Sequence, residues 1–147
     1  MHITRVVAAG TGILLGALLW RLTRYEIADR SMEPTLQDGD RVVAVSSPRR
    51  IRVGDVVVVE HPHRPGFEMV KRVAALEGRL APGVGVPVVA GGLWVLGDNP
   101  EAGSVDSRGI GAVAGKLVRA RVVARYRPLP PSWIRRRPAV GQPPASR

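Results

Sequence analysis

The chain contains no cysteine and few aromatic residues: among its 147 residues there are one Phe, two Tyr and three Trp. Without cysteine there is no disulfide, no thiolate zinc site and no cysteine nucleophile, and nothing in the composition indicates an oxidising or a reducing compartment. Nucleic-acid surfaces interleave basic residues with aromatic rings that stack on bases, so the scarcity of rings argues against such a partner. We predict no nucleic-acid binding.

Acidic residues are also scarce. The chain has 12 Asp and Glu against 22 Lys and Arg, which gives a net charge of +10. A field of this sign attracts anionic partners. With nucleic acid disfavoured, membrane lipid is the expected anionic partner. The length suffices for one domain of roughly 100 residues once an apolar N-terminus and a basic tail are subtracted.

An uncharged apolar run covers residues 6–20, and Arg5 and Arg21 bracket it. A helix over this run is about 22 Å long against about 30 Å of hydrocarbon, so spanning requires neighbours such as Leu22 while the arginines extend outward. No small-x-small cleavage pattern follows the run, which favours a retained anchor over a cleaved signal. We therefore predict a single-pass membrane anchor at residues 1–24. The flanking arginines weakly favour a cytoplasmic location for the domain that follows the anchor.

Beyond the anchor, short runs rich in β-branched residues replace the helical pattern. They predict an all-β domain over residues 25–127. The predicted strands are residues 25–28, 41–46, 56–60, 69–76, 93–96 and 116–126. Two Gly-Asp pairs, at Gly39 and Gly54, each indicate a turn that leads into a strand. Residues 128–147 are rich in Pro and Arg without periodicity, which predicts a mostly disordered basic tail.

Two residues suggest catalysis. Ser31 lies just before Pro34 and so at a bend. Lys71 falls in an apolar strand candidate, on the face of Met69 and Val73, where burial favours a neutral amine that can act as a general base. A serine hydroxyl needs such a base to become a nucleophile. Taken alone, each residue is more often structural: a turn serine and a lysine at a sheet rim.

His61 and His63 could share a strand face and suggest a metal site. With no cysteine and no third histidine nearby, a surface loop is the better interpretation. A Ser/Lys dyad needs neither a metal nor a cofactor, and we predict none.

The order of motifs in this chain resembles the type I signal peptidase family. The motifs are Ser31-Met-Glu-Pro-Thr35, Gly54-Asp-Val-Val57, Lys71-Arg-Val73, Gly97-Asp-Asn99 and Ser104-Val-Asp-Ser-Arg108. The resemblance implies a signal peptidase-like β-sheet fold, Ser31 as the nucleophile, Lys71 as the general base and Ser104 as the residue that orients the lysine amine. It also implies a structural ion pair of Asp106 and Arg108 with Arg72 beside it.

The same resemblance implies how a substrate binds. A precursor protein or leader peptide would add as an extended strand beside Ile27. Shallow pockets for small residues would be shaped by Ile27, Met32, Leu36 and Val70. The backbone N–H of Ser31 would form part of the oxyanion hole. The expected function is a membrane-anchored serine endopeptidase that removes leader or signal peptides after a small residue, with its catalytic domain on the extracytoplasmic face.

The chain departs from the family pattern at Asp29, at Glu77-Gly78-Arg79, where the family commonly has Glu-Gly-Asp, and by one extra residue between Asn99 and Ser104. Two positions before the nucleophile the family usually has glycine or serine, whereas this chain has Asp29. A carboxylate that faces a developing oxyanion opposes catalysis, so we expect Asp29 to point away or to pair with Arg30.

Two alternatives to this general leader-peptidase function stay open. One is a dedicated maturation protease for nickel-type superoxide dismutase, because the short connection from Lys71 to Gly97 and the flanking segments resemble that subgroup. The other is a catalytically silent membrane module that binds extended peptides. Self-cleaving repressors use the same dyad, but we expect no DNA-binding domain here.

Overall fold

The computed structural model describes residues 16, 21–46, 48 and 50–139. Strands dominate this part of the chain, in one eight-stranded sheet. The strands are β1 (Leu22–Glu26), β2 (Arg41–Ser46), β3 (Val56–Glu60), β4 (Glu68–Leu76), β5 (Gly92–Leu96), β6 (Val113–Ala114), β7 (Val118–Arg127) and β8 (Ser132–Trp133). A short α-helix, α1 (Ser107–Ile110), and the 3-10 turns Pro100–Ala102 and Gly115–Leu117 lie between strands. The prediction of an all-β domain is confirmed.

Valine-rich runs form the strands that were predicted best, because β-branched side chains pack well on a pleated surface. Strands β2 and β3 have their predicted bounds. Strand β1 begins at Leu22, inside the predicted anchor, because Leu22 pairs with Val45 of β2. In the described residues no helix is long and apolar enough to cross a membrane. Apart from Gly16 and residues 21–24, the predicted anchor lies outside the described residues.

The sheet order is β1-β2-β7-β3-β4-β5-β6, with β8 on β7. Strand β7 thus lies between the antiparallel pair β1-β2 and the antiparallel pair β3-β4, and it pairs with β2 on one side and β3 on the other. Strand β4 lies between β3 and β5. Neighbouring residues of β4, from Lys71 to Ala75, are all buried, so this strand is covered on both faces. A functional side chain on β4 is therefore shielded from water.

Both Gly-Asp pairs form the predicted turns, and the same backbone conformation and hydrogen bond close each turn. Gly39 and Gly54 have φ values of +82° and +89°, a region that glycine adopts without steric cost. The following aspartates, Asp40 and Asp55, are buried, and each accepts a hydrogen bond at 2.9 Å from the backbone N–H three residues earlier. Each turn is thus closed by its own carboxylate before β2 or β3 begins.

The C-terminal segment is more ordered than the prediction of a disordered tail. Strand β8 pairs with β7, and the N–H of Ile134 donates to the carbonyl of Val123 at 2.9 Å. Ile134 packs on the core, and Ala139 is buried. The sequence of this segment lacks the periodicity of a regular strand, but the segment docks on the sheet through backbone hydrogen bonds and a few side chains. Residues 140–147 lie outside the described part.

Candidate active site

Ser31 sits at the bend that the sequence predicts, and its side chain is buried. Its carbonyl accepts a hydrogen bond from the N–H of Asn99 at 2.9 Å, which joins the bend to the loop after β5. Gly97 makes this approach possible. A Cβ on Gly97 would lie 2.8 Å from the Ser31 carbonyl oxygen, closer than real Cβ contacts allow. The end of β5 is thus built to receive the Ser31 backbone.

Lys71 lies on β4, opposite Val57 of β3, and only 1% of its surface is exposed. Its Nζ donates a hydrogen bond of 2.7 Å to Ser31 Oγ. Burial lowers the pKa of Lys71 below its usual value of 10.5, although the carboxylates of Asp29 and Asp106 act in the opposite direction. A neutral amine next to a hydroxyl can remove its proton, so this pair can activate Ser31.

The guanidinium of Arg72 holds the bend from the other side of β4. It donates to Asp98 through Nε at 2.8 Å and through Nη2 at 2.6 Å, and both residues are buried. Thr35 joins the pair, because its hydroxyl donates to Asp98 and also accepts from Arg72. Nη1 donates to the Gly54 carbonyl at 2.9 Å. Arg72 therefore links the Ser31 bend to β5, and it pairs with Asp98 rather than lying beside Asp106 and Arg108.

Asp106 and Arg108 form an ion pair with Nη2 and Oδ2 2.6 Å apart. Asp106 also caps α1 by accepting the N–H of Arg108, and it accepts the N–H of Gly97 at 3.1 Å. Burial alone would raise the pKa of Asp106, but these hydrogen bonds and the charge of Arg108 outweigh it and the pKa is lowered. The carboxylate fixes Gly97, and so indirectly the backbone of Ser31.

Ser104 does not make the predicted bond to the lysine amine. Its Oγ is buried and has no hydrogen-bond partner among the described residues. It nevertheless lies close to Ser31, because the Cβ position of Gly97 is 3.1 Å from Ser104 Oγ and 3.6 Å from Ser31 Cβ. The hydroxyl is positioned at the site without a partner.

Ser31 and Lys71 open onto a cleft of about 770 Å³. The loop before Ser31 and the loop after β5 form its walls, and Phe67 and Met69 close one end. The lining residues are Ala28, Asp29, Arg30, Ser31, Asp38, Phe67, Met69, Lys71, Asn99, Glu101, Ala102, Gly103, Ser104 and Val105.

The residues predicted to shape substrate pockets do not line this cleft. Ile27, Met32 and Leu36 are buried in the cluster beneath β1 and β2, and Val70 packs against the same cluster. Their apolar pattern is that of a core. The sequence could not separate the two roles, since pocket and core positions have the same composition.

Comparison with known proteins places the chain in a family. A family model described as signal peptidase, peptidase S26, matches residues 1–81, which include Ser31 and Lys71. The chain belongs to the signal peptidase S26 family. The predicted resemblance is thereby confirmed.

Similar proteins within the family include mitochondrial inner membrane protease subunits. Subunit 1 of Xenopus tropicalis is 34% identical over 67% of this chain and 65% of its own length. Subunit 1 of Homo sapiens is 36% identical over 67% of this chain and 66% of its own length. Subunit 1 of Schizosaccharomyces pombe is 33% identical over 71% of this chain and 72% of its own length. The match thus spans just under two thirds of the frog and human relatives.

Asp29 neither points away from the site nor pairs with Arg30. Its Oδ1 accepts the backbone N–H of Ser31 at 2.8 Å. Arg30 forms an ion pair with Glu33 instead. Burial alone would raise the pKa of Asp29, but its interactions with Ser31 and the charge of Lys71 lower it. The Ser31 N–H, which the family resemblance implies as an oxyanion donor, is therefore bonded to a carboxylate in this structure.

The two histidines lie in the turn between β3 and β4. His61 is buried, and its Nδ1 accepts the N–H of His63 at 3.1 Å. Its ring also meets the Phe67 ring edge to face, with centroids 6.0 Å apart. These contacts give His61 a role in shaping the loop that carries Phe67 to the cleft, which the spacing of the histidines alone did not suggest.

Proposed function

We propose that this protein is a membrane-associated serine endopeptidase in which Ser31 is the nucleophile and Lys71 the general base. The 2.7 Å contact between the buried Lys71 amine and the Ser31 hydroxyl carries the proposal. Burying a lysine is unfavourable, because desolvation of an ammonium is costly and a methionine or leucine would fill the same space. A buried lysine therefore indicates a functional role. Proton transfer from Ser31 is that role.

The reaction is acyl transfer in two steps. Lys71 takes the Ser31 proton as Oγ attacks the peptide carbonyl, and the ammonium then returns the proton to the leaving amine. Water, deprotonated by the same amine, attacks the acyl-enzyme and frees Ser31. The Ser31 N–H would donate to the oxyanion, a contact whose loss in other enzymes costs about 3 kcal/mol. Ser104, whose buried hydroxyl has no hydrogen-bond partner in the described part of the chain, is available to orient the Lys71 amine during proton transfer.

The substrate we propose is an extended segment of a precursor protein, cut after a small residue. The backbone groups of Ile27 are already bonded to Gly39 and Asp40. Those of Ala28, next along the cleft wall, make no hydrogen bond within the described ranges, so they are available to a strand laid in the cleft. Backbone pairing of this kind accepts many sequences, as a leader-removing enzyme requires.

Membrane association is part of the proposal. The similar proteins are named as inner membrane protease subunits, and the uncharged run at residues 6–20 precedes β1. Near the C-terminus Leu129 and Trp133 are 74% and 79% exposed, and Arg135 and Arg137 are also exposed. Apolar side chains and arginines together suit a lipid headgroup region, where each basic residue contributes about 1 kcal/mol. The proposal keeps the catalytic domain on the extracytoplasmic face.

A second candidate function is a peptide-binding module without catalysis. The hydrogen bond from the Ser31 N–H to Asp29 favours it, because an anion occupies the position that an oxyanion would take. If this second function is correct, a precursor still binds along the cleft but is not cut.

The test is cleavage of two purified precursors, a secretory preprotein and a nickel superoxide dismutase precursor, in detergent micelles. Ser31→Ala and Lys71→Ala should abolish cleavage. Ser132→Ala and Lys116→Ala change exposed residues of the same types and should cleave like the wild type. Cleavage of one precursor by the wild type identifies the substrate class. If both precursors bind but neither the wild type nor any variant cleaves them, the protein is a peptide-binding module and not a protease.

A further inference from the structure

Within the described residues, Asp29 is the carboxylate that is hydrogen-bonded to the backbone of the proposed nucleophile. It accepts the Ser31 N–H at 2.8 Å, and its charge also reaches Lys71. No cation of its own loop holds it, because Arg30 is bonded to Glu33 through three side-chain contacts. Asp29 is exposed at the cleft, so its side chain has solvent into which it can turn.

Two consequences follow for catalysis. A carbonyl oxygen that gains negative charge requires the Ser31 N–H, and it cannot share that donor with a carboxylate of the same sign. The carboxylate also favours the ammonium form of Lys71, as an opposite charge nearby does. Both effects oppose the reaction in the free enzyme.

The other charged groups near the Lys71 amine do not have this effect. Asp106 also favours the ammonium, but Arg108 is bonded to it and acts in the opposite direction. Around the cleft Asp38, Glu101 and Arg30 are exposed, and in the described structure none of their side chains forms a hydrogen bond or ion pair with Ser31 or Lys71. Of the two carboxylates that favour the Lys71 ammonium, Asp29 is therefore the one with no cationic side chain bonded to it in the described structure.

We propose that Asp29 is an inhibitory positioning residue, which keeps the oxyanion donor of Ser31 occupied until the substrate carbonyl displaces its carboxylate. The inference rests on the proposed Ser31/Lys71 protease and concerns how that site is controlled. It implies an enzyme with low activity until a well-bound precursor fills the cleft, since only binding energy from the rest of the substrate offsets the lost Asp29 contact.

A purely structural role makes the opposite prediction. An aspartate that accepts the N–H two residues later commonly stabilises a turn. If turn formation is all that Asp29 does, its removal loosens Ser31 and lowers activity. If Asp29 occupies the oxyanion donor, its removal raises activity even where it lowers stability. The sign of the change in rate separates the two roles.

The experiment compares Asp29→Gly and Asp29→Ser with the full-length wild type in detergent micelles. The probe is a quenched fluorogenic peptide with alanine on the acyl side of the scissile bond. Single-turnover acylation rates are measured from neutral to alkaline pH, where the rate reaches a plateau once Lys71 is neutral. Glu26→Gln is the control, because it removes an exposed carboxylate of β1 that pairs only with Arg41. Thermal unfolding of each variant reports on the turn.

Both Asp29 variants should raise the plateau rate roughly tenfold or more, the effect of releasing one hydrogen bond to a charged group. The midpoint of the acid limb should also move to lower pH, and Glu26→Gln should change neither quantity. Serine can still support the turn through its hydroxyl, so Asp29→Ser decides the matter if the glycine variant unfolds.

A plateau that is unchanged or lower in a folded Asp29→Ser variant would overturn the inhibitory role while leaving the protease intact. A different result applies to the proposed function itself. If neither the wild type nor any Asp29 variant cleaves the peptide or forms an acyl adduct that Ser31→Ala lacks, the protease and the inhibitory role both fail.

Discussion

Lys71 Nζ and Ser31 Oγ lie 2.7 Å apart although 40 positions separate them in the sequence. The amine reaches the hydroxyl from the middle of β4, a strand buried on both faces, while Ser31 is held by the loop after β5. Neither side chain could be moved without disturbing the core. The pair is thus preorganised before any substrate binds, which is the condition for efficient proton transfer.

The lowered pKa of Lys71 predicts a pH dependence of activity. Burial disfavours the ammonium, so kcat/KM should rise with pH through an apparent pKa below 10.5 as the neutral amine forms. The pH profile of peptide cleavage measures it. An acid limb centred at or above 10.5 would mean that Lys71 is not the base.

Stability should depend on pH for the same reason. Between the lowered pKa of folded Lys71 and 10.5, the unfolded chain binds more protons at this residue than the folded one. The contribution of Lys71 to the free energy of unfolding should therefore rise with pH across that window. Lys71→Met, which keeps the volume and removes the amine, should lose this rise in urea titrations at several pH values. A variant with the wild-type slope would contradict the assignment.

Asp98→Ala should destabilise the fold by about 3–5 kcal/mol, because it leaves the buried Arg72 guanidinium without its counterion. Glu26→Ala breaks the ion pair with Arg41, in which both side chains are largely exposed, and should cost about 0–1 kcal/mol. Urea denaturation of both variants gives the comparison. Equal losses would show that the Arg72 pair contributes no more than a surface pair.

The sequence predicted the strands well because valine-rich runs fix both the type and the length of β2 and β3. It could not assign Met32 and Leu36, which the pattern marks as buried, to a pocket or to the core. It also could not choose a partner for Arg72. Asp98 and Asp106 are both near β4 in the fold, and only the geometry decides that Arg72 binds the first.

The contact of Asp29 with Ser31 could have been found from the sequence. An aspartate two residues before a backbone N–H at a bend commonly accepts its hydrogen bond. Charge arguments favoured Arg30 as the partner, but Glu33, three residues further along the chain, forms the ion pair with Arg30 instead. The tail was misjudged for a different reason, because β8 docks mainly through backbone groups that carry no composition signal.

Gly97→Ala should lower activity more than stability alone explains. The new Cβ would lie 2.8 Å from the Ser31 carbonyl oxygen, so the Ser31 backbone must move relative to β5 and the contact between Ser31 and Lys71 is disturbed. Gly109→Ala is the matched control, because nothing lies within 4 Å of its Cβ position and its φ is not positive. We expect acylation to fall at least about tenfold in the first variant, since small displacements of reacting groups are costly, and to stay unchanged in the second. Comparable rates in both would show that the site tolerates the shift.

The C-terminal segment should contribute to stability through Arg136. Its guanidinium binds Asp55, a buried carboxylate at the start of β3, and the neighbouring Arg135 carbonyl accepts a weak hydrogen bond from Arg72 at 3.4 Å. Arg136→Ala removes the counterion of a buried acid and should lower the free energy of unfolding by about 1–3 kcal/mol.

Arg137→Ala is the control for this change, because the Arg137 side chain is exposed and makes no hydrogen bond or ion pair within the described residues. It removes the same charge, so any general effect of net charge on stability is shared by both variants. Urea denaturation at neutral pH gives the difference, and limited proteolysis after Arg127 reports whether β8 has detached. If Arg136→Ala and Arg137→Ala unfold at the same urea concentration, the segment docks through β8 and Ile134 alone.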